Sequence, residues 1–434
     1  MAEIKPLRPW RYTEKAGPIQ DLISPLFDVV DPLERRALYK KNFNSIHISV
    51  PEKDPESAAA LLTEWKNNKI IAQDYLPAIY VYYQYFKQGT SDHLHCQKGF
   101  ICNIRLHAWS EQQILKHEAV VPSSLHGRIE ILQSLEMNLS PTHGLYSDPE
   151  HQLEKFMDES MLAPLYEVMD QNGVLNKLSM IHDKKVIEVF MAVLKTKPVI
   201  LADGHHRFNA SMAYQKQKAE KQSFNRTEAW NYHCMYLSNT EANEIKILPT
   251  HRLIDPIENF DKNAFLTKIS TYFELKPLET VKSIDAEIAS EKWQFGLILK
   301  DEQFALKLKK GMESAIHWNF PQEIKELDLT IMHYFIISKC LNIHEKDQKN
   351  SKNINFSHNF TKCIEAVRDN KAQMALITRE ISINQVKKVC YSGFTFPQKS
   401  TYFYPKVICG FLFSSVKQED FITEIDSCIK FKQV

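Results

Sequence analysis

Short apolar runs alternate with amphipathic helical patterns along this chain, which predicts a mixed α/β fold with an α+β portion towards the C-terminus. Two further observations shape that expectation. At 434 residues the chain exceeds what one ordinary hydrophobic core accommodates, so two or three domains are expected. The pattern also changes character after Asp255, where a helix and a hairpin replace the earlier strand-and-helix rhythm. The division adopted is 1–254 and 255–434.

In chain order, the strand-like runs of the first part are 45–50, 78–86 and 100–106, with a helix-like stretch at 110–115. The run 199–202 leads through Asp203 and Gly204 into an amphipathic helix over 205–217. A polar connection at 216–228 lacks an apolar face and precedes a strand at 233–237. Beyond it come a helix over 261–273 and a hairpin formed by 293–299 and 303–308 around Lys300, Asp301 and Glu302. A long helical pattern at 323–341, a strand at 406–413 and a terminal helix complete the prediction.

Composition excludes several classes. Lys plus Arg (54) and Asp plus Glu (53) nearly cancel, which argues against a nucleic-acid partner held by bulk charge. No stretch reaches the ~18 apolar residues of a membrane helix, and the N-terminus has no secretory apolar core, so a cytosolic protein is expected. The eight cysteines show no CxxC pair and are expected to be reduced core thiols. His93 and His95 would share one face of a strand, but a third metal ligand is not evident, and no metal site is predicted.

The segment from Asp203 through Gly204, His205 and His206 to Arg207 carries the strongest chemical signal. A buried strand ends in an acid and a glycine, and two imidazoles and a guanidinium fall in the first helical turn. Helix N-termini present unpaired amides suited to an anion. Arg207 adds a planar fork, and Gly204 permits close approach. The plain alternative is an Asp cap followed by two satisfied histidines. A second candidate is Lys116-His117-Glu118, where Glu118 offers a general base, metal ligand or phosphate partner, or simply a solvated face. A third is the loop Lys399-Ser400-Thr401 between Pro397 and Pro405, a point charge and two hydroxyls without P-loop glycines. His251 and Arg252 form a smaller signal at a strand end.

These residues lie in segments that resemble the DUF1015 family of unknown function: SPLFDVV (24–30), KHE (116–118), ADGHHRF (202–208), LPTHRL (248–253), LDLTIMH (327–333) and FPQKSTYFYPK (396–406). Two departures stand out. The family's early Pro-Pro-Tyr-Asp is Pro25-Leu26-Phe27-Asp28 here, and Ala119 and Val120 follow KHE where the family has a residue and then Thr. The Gly204–Arg207 turn is also similar to the phosphate-binding G-x-x-R box of the ParB/sulfiredoxin superfamily, which includes free-serine kinases. That resemblance implies a ParB/sulfiredoxin-like nucleotide- or phosphate-binding core with an additional α+β C-terminal domain.

It implies, further, phosphoryl transfer on a small phosphorylated metabolite in serine metabolism, with phosphoserine or serine preferred and either phosphatase or kinase direction open. The expected catalytic set is Asp203, His205, His206 and Glu118. Gly204, Arg207, Lys116, His117, His251, Arg252, Lys399, Ser400 and Thr401 would bind phosphate or substrate, with Mg²⁺ or a nucleotide as the added component. A non-catalytic nucleotide-binding regulator and a metal-assisted hydrolase are the alternatives.

Overall fold

The computed structural model describes residues 2–88, 92–118, 125–221, 227–242, 244–289, 291–348, 351, 353–397 and 399–425. The chain divides into two compact units that are not contiguous in sequence. The first comprises Met1–Lys116, Val120–Lys246 and Pro405–Val434; the second comprises His117–Ala119 and Ile247–Tyr404. A single border after residue 254 therefore does not describe the chain. Composition carries no trace of this, because the returning segment is as apolar as any core strand.

Among the described residues, nine strands form the sheet of the first unit. They are β1 (Ile4–Lys5), β2 (Ile79–Lys87), β3 (Leu94–Arg105), β4 (Ile114–Lys116), β5 (Thr142–Tyr146), β6 (Tyr166–Met169), β7 (Leu175–Ile181), β8 (Val199–Asp203) and β9 (Tyr232–Asn239). The order is β4-β8-β5-β9-β3-β2-β7-β6, with β1 pairing β3. The sheet is mixed: β8 runs parallel to β4 and antiparallel to β5, while β9 is parallel to β5 and antiparallel to β3.

Both faces of this sheet are covered, which explains why its strands read as continuous apolar runs rather than clean alternations. The period of two survives in where the side chains go. Ile79, Val81 and Tyr83 of β2 enter one core with Phe100, Cys102 and Ile104 of β3. Tyr80 and Tyr82 enter the other with Ile101, Cys234 and Tyr236. Helix α1 spans His126–Leu135. Helix α2 (Lys184–Lys195) is started by Asp183, whose carboxylate accepts from the amides of Lys185 and Val186. It buries Ile187, Phe190, Val193 and Leu194 against the first core, each worth about 1.5–3 kcal/mol. Helix α3 (His205–Lys221) follows β8 directly.

The second unit has a six-stranded sheet among its described residues, built from β10 (His251–Ile254), β11 (Phe273–Pro277), β12 (Gln294–Ile298), β13 (Gln303–Leu308), β14 (Ile354–Ser357) and β15 (Met374–Ile377), in the order β11-β13-β12-β15-β10-β14. The predicted hairpin is β12 and β13, paired antiparallel from Ile298 and Gln303. Helix α4 (Lys262–Tyr272) starts at Asp261 as its cap.

Several expectations are corrected. Residues 45–50 form a short helix, Ile46–Ser49, because the Asn44 side chain accepts from the Ile46 amide and opens a turn where a short apolar run fits helix or strand equally. The stretch 110–115 is a 3₁₀ turn followed by β4, not a helix. Helix α3 runs on to Lys221, so the polar connection begins later than predicted. The pattern at 323–341 breaks at Leu327, whose backbone is extended, and then becomes a π-helix over Met332–Cys340. Buried on nearly every side, that segment has no polar stripe from which its winding could be read. The run 406–413 is not a strand. Gly410 takes φ +103, and a Cβ there would lie 2.9 Å from the Leu22 carbonyl, so pairing is reduced to bridges at Cys409 and Phe413. Val407, Ile408, Cys409, Phe411 and Leu412 instead pack onto the second face of the first unit's sheet.

Of the cysteines, Cys96 is half-buried and Cys102, Cys234, Cys340, Cys363, Cys390 and Cys409 are buried as free thiols. Cys428 and the predicted terminal helix beyond Ile425 lie outside the described residues, as do Ala119 and Val120. Among the described residues, no helix is long and apolar enough to cross a membrane.

Candidate functional site

The first unit holds the Asp203–Arg207 turn. Strand β8 is buried over Val199, Ile200, Leu201 and Ala202 and carries a register shift between Leu201 and Asp203, so that pairing skips Ala202 and resumes with Asp203 opposite His143. Gly204 has φ +86, and the helix begins with the Phe208 amide donating to the Gly204 carbonyl. A Cβ at position 204 would lie 2.6 Å from Thr142 Cγ2 and 2.9 Å from Arg207 Nη2. Gly204→Ala is therefore expected to destabilise by about 2–4 kcal/mol, combining positive-φ strain with a steric clash. Guanidinium unfolding curves measure this, and a loss under about 0.5 kcal/mol would remove the steric argument.

Asp203 does not cap the helix through its amides. One carboxylate oxygen accepts from Arg207 Nη2 at 2.9 Å, and the other accepts from Lys406 Nζ. Burial raises its pKa, but the charges of Lys406 and Arg207 outweigh burial and hold the carboxyl well below the ordinary range. Lys406 is fixed in turn by the Gln84 amide, which donates to its carbonyl at 3.0 Å. Arg207 spends Nη1 on Ser140 Oγ (2.8 Å) and the Pro141 carbonyl (2.7 Å). Its Nε is buried without a hydrogen-bond partner. His205 and His206 are half-buried at the start of α3.

Behind the turn lies a cavity of about 50 Å³, several times what one water needs. Arg207, Arg128, Ser49, Asn138, Ser140 and Cys409 line it, with Phe27. Arg128, from α1, lies 4.0 Å over the Phe27 ring and donates to the Ser49 carbonyl at 3.2 Å. Burial and then the charge of Arg207 lower its pKa, while the charge of Asp28 raises it. Ser49 Oγ is buried and unpartnered. Nearby, the wholly buried His233 is hydrogen-bonded to Ser211 Oγ (2.8 Å) and Thr142 Oγ1 (3.0 Å), and burial followed by the charge of Arg207 pushes it down to about 3.

The KHE triplet is shared out. Lys116 belongs to the first unit, where its ammonium lies 4.4 Å over the Trp109 ring and burial lowers its pKa. His117 and Glu118 belong to the second unit and meet the Lys399–Thr401 loop there. Glu118 accepts from the amides of Lys399 (2.9 Å), Ser400 (3.0 Å) and Thr401 (2.8 Å) and from Thr401 Oγ1 (2.7 Å). Since that hydroxyl gives its proton to Glu118, the 2.6 Å contact of His117 Nε2 with Thr401 Oγ1 makes His117 the donor. Ser400 Oγ donates to the Pro397 carbonyl at 2.6 Å. Of the two hydroxyls expected to clamp phosphate, that of Thr401 is thus given to Glu118 and that of Ser400 to a backbone carbonyl, and Glu118 anchors the loop through three of its amides.

Arg252, with no exposed surface, forms a third cluster in the second unit. Its Nε donates to His333 Nε2 at 3.1 Å and Nη1 to the Thr250 carbonyl, while Nη2 is buried without a partner. Because His333 Nε2 accepts, its Nδ1 carries the proton given to Gln348 Oε1 (2.8 Å), and burial plus Arg252 lower its pKa to about 3. His251 Nδ1 accepts from the Thr378 amide at 3.2 Å, and burial, then Arg252, push it down to about 4.

Sequence reasoning missed Arg128, Ser49, Ser140, Lys406 and His333. Lys406 and His333 stood at the ends of segments already singled out. Arg128 and Ser49 sit in stretches without any local chemical signal.

The molecule is a two-unit mixed α/β protein in which an acid-glycine turn opens a long helix beside a pair of arginines. It belongs to the family described as "Protein of unknown function (DUF1015)", whose model matches residues 4–330. No match was found among curated proteins. Among solved structures, the chain is similar to a conserved hypothetical protein from Pyrococcus furiosus (15% identity, TM-score 0.36, covering 75% of this chain and 97% of that one). It is also similar to a free serine kinase in complex with AMP (12%, 0.37, 75% and 93%). A third is SbnI with a C-terminal truncation from Staphylococcus aureus (10%, 0.38, 77% and 94%).

Proposed function

We propose that the first unit binds the oxyanion of a small phosphorylated metabolite between Arg128 and Arg207, and that the protein is a phosphoryl-transfer enzyme with phosphoserine or serine as the preferred substrate. The observation that carries this reading is the cavity itself. Two guanidinium groups line it, and Arg207 Nε and Ser49 Oγ, both buried, have no protein partner. Two guanidinium groups at one cavity favour an anion there, although Ile131, Leu132, Met137 and Leu139 make much of its wall apolar, and buried unpaired donors are costly unless a ligand satisfies them. Phosphoryl transfer demands chiefly this, fixed cations around the phosphoryl oxygens.

In this reading Asp203 is a positioning residue. A carboxylate held so far below neutrality by Lys406 and Arg207 is a weak proton acceptor. The acceptor role falls to His205, His206 or Asp28, the exposed carboxylate whose charge reaches Arg128. A nucleotide or Mg²⁺ would supply the transfer partner or neutralise charge at the transferring group.

The test incubates purified protein with phosphoserine, with and without ADP and Mg²⁺, then with a panel of phosphorylated metabolites. Phosphate release or ATP formation is expected. Arg128→Met should weaken phosphate binding by about 10- to 100-fold, the value of a hydrogen bond to a charged group. No turnover across the panel and no loss of phosphate affinity in the variant would overturn the proposal.

A further inference from the structure

Away from that turn, the fold completes a constellation that the sequence left open. Strand β3 begins at Leu94, so His93 and His95 stand two residues apart at its entry and project to the same side. Leu94, between them, is exposed on the other side. Strand β9 runs antiparallel to β3 with Ser238 opposite Gly99, so its exit lies towards the β3 entry. A short 3₁₀ turn, Thr240–Ala242, then brings Glu244 to the two histidines. His95 Nδ1 lies 3.0 Å from Glu244 Oε2, and one ligand atom from each of His93, His95 and Glu244 lies within 4.8 Å of the others. The His93 and His95 rings are 4.4 Å apart and nearly perpendicular, and Phe86 backs the His95 ring at 5.3 Å.

We propose that His93, His95 and Glu244 form a binding site for a first-row divalent transition metal ion, with two imidazoles and one carboxylate as protein ligands and the remaining positions open to water. The donor set suits Zn²⁺, Co²⁺, Ni²⁺ or Fe²⁺ and not Mg²⁺ or Ca²⁺, which require oxygen ligands. Metal–ligand distances of about 2.0–2.2 Å put adjacent ligand atoms roughly 3 Å apart, the separation already present between His95 and Glu244. His95 and Glu244 are 13% and 33% exposed in their side chains, so one wall is preformed, and the exposed His93 can close upon the ion. Cys96, the next residue along the strand, belongs to its opposite side, which keeps the thiol out of the ligand set. The site is independent of the phosphoryl-transfer reading.

Cobalt(II) tests it. The full chain is stripped with a chelator and titrated with Co²⁺ by calorimetry and visible absorption, alongside His93→Ala and Glu244→Gln. Stoichiometric binding of one ion is expected, with d–d bands and no thiolate charge-transfer band. Each variant should weaken binding by at least about ten-fold, the lower end of what even outer-shell losses cost a metal site. Because His93 is exposed, its replacement leaves the fold intact, and thermal unfolding of the apo-variant checks this. Absence of uptake, a thiolate band, or unchanged affinity in a folded His93→Ala protein would each overturn the assignment and leave His95–Glu244 as a hydrogen-bonded pair only.

Discussion

Asp203→Ala is expected to lower the stability of the first unit by about 3–5 kcal/mol at neutral pH, the cost of removing one partner from a buried charge cluster. The side chains of Arg207, Asp203 and Lys406 are 11%, 14% and 15% exposed, so both cations would lose their shared carboxylate where water reaches them poorly. The pH dependence has a definite sign. Asp203 has a depressed pKa in the folded state, so its contribution is present above the unfolded value of about 3.8 and is lost as pH falls below it. Asp203→Asn should therefore be less stable than the parent at pH 7, with the gap narrowing below pH 4. Guanidinium unfolding at a series of pH values measures both, and Lys406→Met in the Asp203→Asn background should recover part of the loss. Equal stability of parent and variant at pH 7 would refute the cluster's structural role.

Steep acid unfolding between pH 6.5 and about pH 4 is the second large effect. His233, His251 and His333 are buried and held neutral, with folded pKa values of about 3, 4 and 3. In the unfolded chain they take up protons near 6.5, so the unfolded state gains three protons over this window and stability falls with pH. Each contributes about 1.4 kcal/mol per pH unit, roughly 6 kcal/mol for the three together by pH 5. That is comparable with the whole stability of many domains. Burial raises Glu34 and Asp285, which opposes the trend, but these are surface carboxylates with much of their solvation intact. Circular dichroism during acid titration should show an unfolding midpoint near pH 5, and His333→Gln should make the descent about one-third shallower. A protein still folded at pH 4 would contradict the neutral, buried state assigned to these rings.

How legible this molecule was depends on the distance over which a signal acts. The buried run ending at Asp203, its glycine and the helix that follows could be read locally, because strand, turn and helix each leave a mark within a few residues. The hairpin at Gln294–Ile298 and Gln303–Leu308 and the capped helix at Asp261 were legible for the same reason. What could not be read is the pairing of local signals. Nothing near Asp203 announces that its counter-ion is Lys406, 203 positions away, or that Glu118 will be consumed by amides of Lys399–Thr401. His93 and His95 were visible, yet their third companion arrives from another strand's exit. Residues 45–50 and 323–341 failed differently. Their hydrophobic pattern was right, but burial on several sides removes the periodicity that separates strand, α-helix and π-helix.

The interleaving of the two units has a consequence for how the protein is made. Residues 407–412 cover part of one face of a sheet whose strands are all synthesised before Lys246. During translation Tyr80, Tyr82, Cys234 and Tyr236 have only their earlier partners, such as Leu7, Ile23 and Leu26, while the whole of Ile247–Tyr404 is produced. A nascent chain in this condition leaves part of that face uncovered for as long as the ribosome takes to add some hundred and fifty residues, at 5–20 per second roughly ten to thirty seconds. A product that stops short of Val407 is therefore expected to be less soluble than the full chain, which sedimentation of the truncated protein checks.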